Sequence, residues 1–322
     1  MDNLTHALTG AGVAAMAYGT AAVSGEPKLA QAVFWGTALA SQAPDLDIVL
    51  RLKGNSTYLK HHRGFSHSIP AQLLIPSLTT LVVMLFFPGV SWLTVWLWSY
   101  LATLAHVFMD VLTAYGTKAL WPLSNKMYAL DILLIVDLVI IVLFGTGAVL
   151  WYMGRSGPAD IFRVIWSLTA LYLALRGVVY YRMKNIVRRK FGPQALALSV
   201  IPTLHLLNWN FVAETGDRFL AGVVSWPNRV EVEKSFPKVP EDQVIAAAWE
   251  APGARVFVEF ARHMWVAKEE TPDGYKVHFS DLRFLFGDKT PFTATVFLDR
   301  DLRVVDEQFG WVRGIRHPVQ TS

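Results

Sequence analysis

Three stretches of this chain stay apolar for longer than an ordinary buried helix requires, and they constrain the fold more than any other feature. Residues 68–88, 92–111 and 132–153 each carry at most one carboxylate and no Lys or Arg. A bilayer-spanning helix needs about 20 mainly apolar residues, so each stretch reads as a span. A fourth, 161–181, is apolar apart from Arg163 and Arg176, which lie near its ends where long side chains snorkel to the interface. Two earlier segments, 4–23 and 29–43, are rich in Gly and Ala, as helices packed tightly inside a membrane bundle are. The first of these is not read as a cleaved signal peptide, because Asp2 stands where a basic n-region belongs. The sequence predicts an α-helical integral membrane bundle of about six helices.

Composition agrees. With 53% hydrophobic and 17% charged residues over 322 positions, a simple cytosolic globule is excluded. Residues 1–184 hold 12 Lys+Arg and 8 Asp+Glu, whereas the remaining 138 hold 17 of each. The formal net charge of +4 therefore lies wholly in the apolar part. It marks membrane-flanking residues rather than a nucleic-acid surface, and no nucleic-acid partner is expected. The chain has no cysteine, which excludes disulfides, thiolate metal sites and a cysteine nucleophile. Basic residues gather at Arg51, Lys53, Lys60 and Arg63, at Lys118 and Lys126, and at Arg182, Lys184, Arg188, Arg189 and Lys190. The alternate connections offer only Lys28 and Arg155. By the positive-inside rule this predicts a multi-pass protein of the cytoplasmic (inner) membrane with both termini in the cytoplasm.

Beyond Lys190 the pattern changes to alternation with period two, in Arg229-Val-Glu-Val-Glu-Lys, Arg255-Val-Phe-Val-Glu-Phe and Phe292-Thr-Ala-Thr-Val-Phe-Leu. These read as half-buried strands, separated by turn signals such as Pro252-Gly253 and Pro272-Asp-Gly274. The expected organisation is a membrane domain over 1–184 and a small, mainly antiparallel β cytoplasmic domain over 185–322, joined by the basic linker 182–190. That linker is also placed to rest on anionic headgroups. His205, His263, His278 and His317 are dispersed through this second domain, and no role is assigned to them.

Ionisable groups inside apolar segments are costly and therefore functional candidates. Here they are His6, Asp45 and Asp47, His61, His62 and His67, His106 and Asp110, and Asp131. The topology drawn from basic residues puts all of them at one membrane face. His6 begins helix one, Asp45 and Asp47 follow helix two, His61 to His67 precede helix three, His106 and Asp110 end helix four, and Asp131 opens helix five. His106 and Asp110 stand at i and i+4, so imidazole and carboxylate can approach one ion together; alone, the same spacing describes a hydrogen-bonded pair inside a bundle. Asp45 and Asp47 follow Pro44, which ends the preceding helix and puts carboxylates suited to a divalent ion in a turn. Arg63 is placed to hold an anionic substrate oxygen, and Asp131 to orient a ligand or take a proton. Asp137 lies deeper and reads as a helix–helix hydrogen-bonding group. Ser66 and Ser68 are not read as nucleophiles, because a metal-activated water accounts better for so many carboxylates and imidazoles.

These residues resemble a known family, the bacterial and archaeal membrane-bound metal-dependent hydrolases that include the YdjM-like and YfhP-like proteins. The likeness is carried by Asp2-Asn-Leu-Thr-His-Ala-Leu-Thr-Gly, Pro44-Asp-Leu-Asp, His61-His-Arg-Gly-Phe-Ser-His-Ser, and His106-Val-Phe-Met-Asp followed by Trp121-Pro. It continues through Leu207-Asn-Trp-Asn into Asp281-Leu-Arg-Phe. The resemblance implies a metal set of His6, Asp45, His62, His67, His106 and Asp110.

The expected activity is hydrolysis, in which one or two divalent ions, zinc first with manganese or iron as alternatives, activate water toward an ester. A phosphoester of a lipid or other membrane-associated substrate fits a site at headgroup level. Asp47 or Asp131 would take a proton and Arg63 would bind substrate oxygen. Two other classes stay open. A metal or proton transporter would need polar groups continuing across the bilayer, and apart from Asp137 the outer halves of the helices offer few. A non-catalytic protein would hold a structural metal and bind a partner through its β domain.

Overall fold

A computed structural model of the protein describes residues 1–53 and 64–316. Six helices come first: α1 Asn3–Ala17, α2 Pro27–Gln42, α3 Ile69–Phe86, α4 Trp92–Val111, α5 Leu138–Tyr152 and α6 Pro158–Phe191. Their starts follow local chemistry. Asp2 accepts from the Thr5 amide, Ser68 and Ser91 cap α3 and α4, and Asp137 accepts from the Val139 and Ile140 amides. Pro27 opens α2, where a missing N–H costs nothing. The stop after Gln42 precedes Pro44, and the chain continues through Ala43–Lys53 as a 3-10 turn.

Helices α3, α4 and α6 are long and apolar enough to cross a membrane, while α1, α2 and α5 have 15 or 16 residues. The shorter α1 and α2 are the inner ones. Most of their residues are buried, and small side chains bring their backbones together, since a Cβ on Gly10 would sit 2.3 Å from Ser41 Oγ. The outer helices show the reverse pattern. On α6 Val164, Leu168, Leu171, Leu175 and Val178 form an exposed stripe at helical spacing, and Leu74, Leu78, Leu81 and Leu85 do so on α3. So much apolar surface is stable against lipid and not against water.

Three sequence expectations in this unit need correction. The first helix ends at Ala17 rather than near residue 23, with a separate turn at Ala21–Ser24. The fifth helix begins at Leu138, because the Ile132 and Leu133 amides bond to the Leu112 carbonyl and hold that stretch extended beside the end of α4; Asp131 therefore precedes the helix by several residues. Arg176 does not snorkel. It is buried in the bundle and its Nε donates to the Ile132 carbonyl at 3.0 Å.

The chain divides into two compact units within α6, between Val178 and Val179. In the second unit the end of α6 lays Met183 and Val187 against Trp209, Phe211 and Val224 of an antiparallel sheet. That sheet runs β1 Ala197–Ile201, β2 Asn208–Glu214, β3 Arg218–Ser225 and β4 Arg229–Pro237, in sequence order. The segment 182–190 is thus helical rather than a loose linker. A second four-stranded antiparallel sheet follows, with β5 Met264–Thr271, β6 Gly274–Asp281, β7 Lys289–Asp299 and β8 Val304–Arg316. Gly274, at φ 148° and with its Cβ position 2.0 Å from the Leu298 carbonyl oxygen, closes the β5–β6 hairpin where only glycine fits.

Helices α7 Gln243–Trp249 and α8 Pro252–Phe260 cover the second sheet, with Ile245, Ala248, Ala254 and Phe257 packed on Val277, Phe279 and Phe292. Residues 255–260, expected as a strand, are therefore helical. Pro252 at the first turn favours a helix start. Gly253, Ala254, Phe257 and Phe260 also satisfy a helical face that the overlapping Val256 and Val258 disguise as alternation.

Candidate metal centre

Four helix ends deliver the site. The i, i+4 spacing on α4 points His106 and Asp110 to one side, the turn after α2 supplies Asp45, the 3-10 turn Phe65–His67 ahead of α3 supplies His67, and the first turn of α1 supplies His6. His6, His67, His106 and Asp110 are buried, and Asp45 is partly exposed.

The ligand-bearing atoms face one another. His67 Nε2 lies 3.2 Å from His106 Nε2 and 3.1 Å from Asp110 Oδ2. Asp45 Oδ1 is 3.7 Å from both imidazole nitrogens, and His106 Nε2 is 3.7 Å from Asp110 Oδ2. Donors set tetrahedrally at zinc–nitrogen distances stand about 3.3 Å apart, so five edges between 3.1 and 3.7 Å match the spacing of a four-donor cation site. Asp45, His67, His106 and Asp110 form the compact group that could hold a metal ion. His6 adjoins it, with Nε2 3.4 Å from Asp110 Oδ1 and 3.9 Å from Asp45 Oδ2, and its ring stacks on His106 at 3.6 Å. The Met1 nitrogen contacts Asp110 Oδ1 and lies 3.0 Å from His6 Nε2.

The back of each imidazole is also fixed. His106 Nδ1 lies 2.7 Å from the Ser41 carbonyl oxygen. A carbonyl only accepts, so Nδ1 carries the proton and Nε2 presents its lone pair to the centre. Ser66 Oγ donates to Asp47 Oδ2 at 2.8 Å and lies 2.9 Å from His67 Nδ1. With its hydrogen turned to the carboxylate, Ser66 accepts from His67 Nδ1, and His67 Nε2 likewise turns a lone pair inward. Such outer contacts typically orient metal-binding histidines.

Of the sequence candidates, His6, Asp45, His67, His106 and Asp110 come together here. Asp47 stands one hydrogen-bonded step behind His67. Asp131 is buried in the extended segment beside the end of α4, at φ 57°, and is not one of the four grouped donors. Asp137 caps α5 and accepts from the Tyr172 hydroxyl at 3.0 Å, as a helix–helix hydrogen-bonding group should. His61, His62 and Arg63 lie outside the described residues. Sequence reasoning missed the Ser41 carbonyl and the hydroxyl of Ser66. A backbone carbonyl leaves no mark in a sequence, but a serine directly before a candidate ligand histidine was a usable signal.

The second unit buries titratable groups differently. Arg283 donates to Asp281 Oδ2 from Nε and Nη2 at 3.0 and 2.7 Å, and Nη2 also donates to the Phe260 carbonyl. His263 is buried with Nε2 2.9 Å from Ser199 Oγ, and burial pushes its imidazole down to about 4. Burial also lowers His278, whose Nδ1 is 2.9 Å from Thr295 Oγ1. His205 is exposed, and His317 lies outside the described residues.

A bundle of apolar helices with a buried His/Asp group at its helix ends, followed by an α/β unit of two antiparallel sheets, defines a membrane protein built around a possible cation site. Comparison with known proteins gives the same class a family. Residues 1–183 match the family described as YdjM inner membrane protein, and residues 243–316 match the YfhP C-terminal alpha/beta plait domain. The chain is also 32% identical over 314 residues to the protein YfhP of Bacillus subtilis (strain 168), covering 97% of this chain and 95% of that protein. The chain belongs to this YdjM/YfhP-like family of membrane proteins. No solved structure matches it.

Proposed function

We propose that this protein is a membrane-embedded, metal-dependent hydrolase acting on an ester, and among esters a phosphoester, of a lipid or membrane-associated substrate at the cytoplasmic face. One observation carries the reading: two imidazole Nε2 atoms and two carboxylates meet at cation-ligand spacing, with both imidazoles held from behind. Zinc suits this mixed set, and manganese or iron is admitted by it. When bound, the ion supplies Lewis acidity and makes water nucleophilic at neutral pH.

The chain's own residues supply the rest. His67, His106, Asp45 and Asp110 hold the ion, with His6 and His62 as further donors. Asp47 works through Ser66 on His67, a positioning role rather than that of a base. Asp131 is left as the proton acceptor and Arg63 as the group that receives a substrate anion. Asp45, with 12% of its side chain exposed against none for His67 and Asp110, marks the open side. Leu46, Ile48 and Val49, which follow Asp45 in the chain, and Phe65, which precedes His67, are exposed, apolar surface suited to a substrate carrying lipid chains. In the reaction the water oxygen bonds to phosphorus, the phosphorus–oxygen bond to the leaving alcohol breaks, and the water's proton ends on that alcohol. A six-span topology with cytoplasmic termini, which the basic connections support, would put this site at the inner headgroup level.

Four protein donors could also close the shell of a structural ion, so metal and turnover must be measured together. Detergent-purified wild type is expected to carry near-stoichiometric metal by elemental mass spectrometry. Folded His106→Ala and Asp45→Ala should lose it, and only wild type should cleave members of a phosphoester panel. A metal-free wild type after reconstitution sinks the site. Metal without turnover, and unfolding on its removal, moves the structural role ahead.

A further inference from the structure

We infer that the centre holds two ions bridged by Asp45 and Asp110, with His6 serving the second; this rests on the metal reading above. The argument lies in which oxygen faces which side. Asp110 turns Oδ2 to His67 and His106, and Oδ1 to His6. Asp45 does the same in mirror order, with Oδ1 toward His67 and His106 and Oδ2 toward His6. Each carboxylate thus offers one oxygen to each of two neighbouring positions, which is how bridging carboxylates serve a pair of ions. A single four-donor site would need only one oxygen from each.

The Met1 nitrogen lies beside the same atoms, in contact with Asp110 Oδ1 and 3.0 Å from His6 Nε2. The two positions share both carboxylates and lie side by side, because the His6 ring is stacked on His106 at 3.6 Å. Paired ions about 3.5–4 Å apart stabilise the attacking and leaving oxygens of an in-line displacement at phosphorus. Two ions therefore suit a phosphoester substrate.

The test is a titration of the full-length protein in detergent with manganese, read by elemental stoichiometry and by electron paramagnetic resonance. Wild type is expected to bind two ions per chain with an exchange-coupled signal. His6→Phe keeps a ring to stack on His106 and removes the donor; it should bind one ion with an isolated six-line spectrum. His6→Ala serves as the second variant should phenylalanine disturb folding. A wild type that saturates at one ion, or a folded His6 variant that still binds a coupled pair, overturns the inference and leaves the single-ion site standing. A wild type that binds none overturns both.

Discussion

Both units of this protein bury charged and imidazole groups, and they do so in opposite ways. In the sheet unit Arg283 turns its donors onto Asp281 and the Phe260 carbonyl, so that cation faces anion, and His263 meets Ser199. In the helical unit acceptor atoms face acceptor atoms, with two imidazole Nε2 atoms 3.2 Å apart and two carboxylates beside them. Lone pairs held that close are favourable only with a proton or a cation between them. Burial alone therefore does not mark a functional site. The direction in which buried lone pairs point does.

Substitutions should separate the two clusters. Beyond the metal loss expected of His106→Ala, the largest effect falls in the sheet unit. Asp281→Ala strands the buried Arg283 guanidinium, and thermal or chemical unfolding should show a loss of about 3–5 kcal/mol. Bound metal per folded chain should stay unchanged; if it falls with the stability, the two clusters are not independent.

His263 adds a pH signature of its own. Burial holds its folded-state value near 4, against 6.5 for the free imidazole, so the unfolded chain takes up the proton first as the pH drops. Stability is full above about pH 6.5 and declines toward about pH 4, by about 3 kcal/mol in all. Unfolding of the full chain followed across that range should show a shallower decline in His263→Gln than in wild type, with His278, also lowered by burial, accounting for part of what is left. An unchanged slope in the variant assigns the effect elsewhere.

The smallest effect sharpens the metal side. Ser66→Ala removes the link between Asp47 and His67, and metal affinity by competition with a chelator should weaken about 10–100-fold. Asp47→Asn keeps an acceptor for Ser66 and should weaken it less. Neither should move the unfolding of the sheet unit, and equal affinity in Ser66→Ala would show that His67 needs no such support.

Apolar length and period made much of this legible. α4 spans Trp92–Val111, the same residues the apolar run marks, because a helix crossing lipid must be apolar along its whole length. The strand at 229–237 follows its alternation between exposed and half-buried positions, and the strand at 289–299 keeps its period although both faces are buried from Phe292 to Val296. Reading failed where a residue's partner is distant in sequence. Nothing near Ile132 shows that its amide bonds to Leu112, so the start of α5 was placed too early. Nothing near Arg176 shows that the Ile132 carbonyl waits for its guanidinium inside the bundle. At 255–260 a helical face and a strand face use overlapping residues, and packing on β6 and β7 chose between them.

The site divides along the same line. Residues costly to place in apolar surroundings are legible in the chain, and they make a larger set of His6, Asp45, Asp47, His61, His62, His67, His106, Asp110 and Asp131; folding brought His6, Asp45, His67, His106 and Asp110 of these together. Only the tertiary structure decided their geometry. The Ser41 carbonyl and the Ser66 hydroxyl turn the imidazoles inward, and the two carboxylates each divide their oxygens between two neighbouring positions. Those directions depend on how α1, α2 and α4 pack through small residues such as Gly10 and Ser41, and packing directions are a property of the assembled bundle rather than of any segment within it.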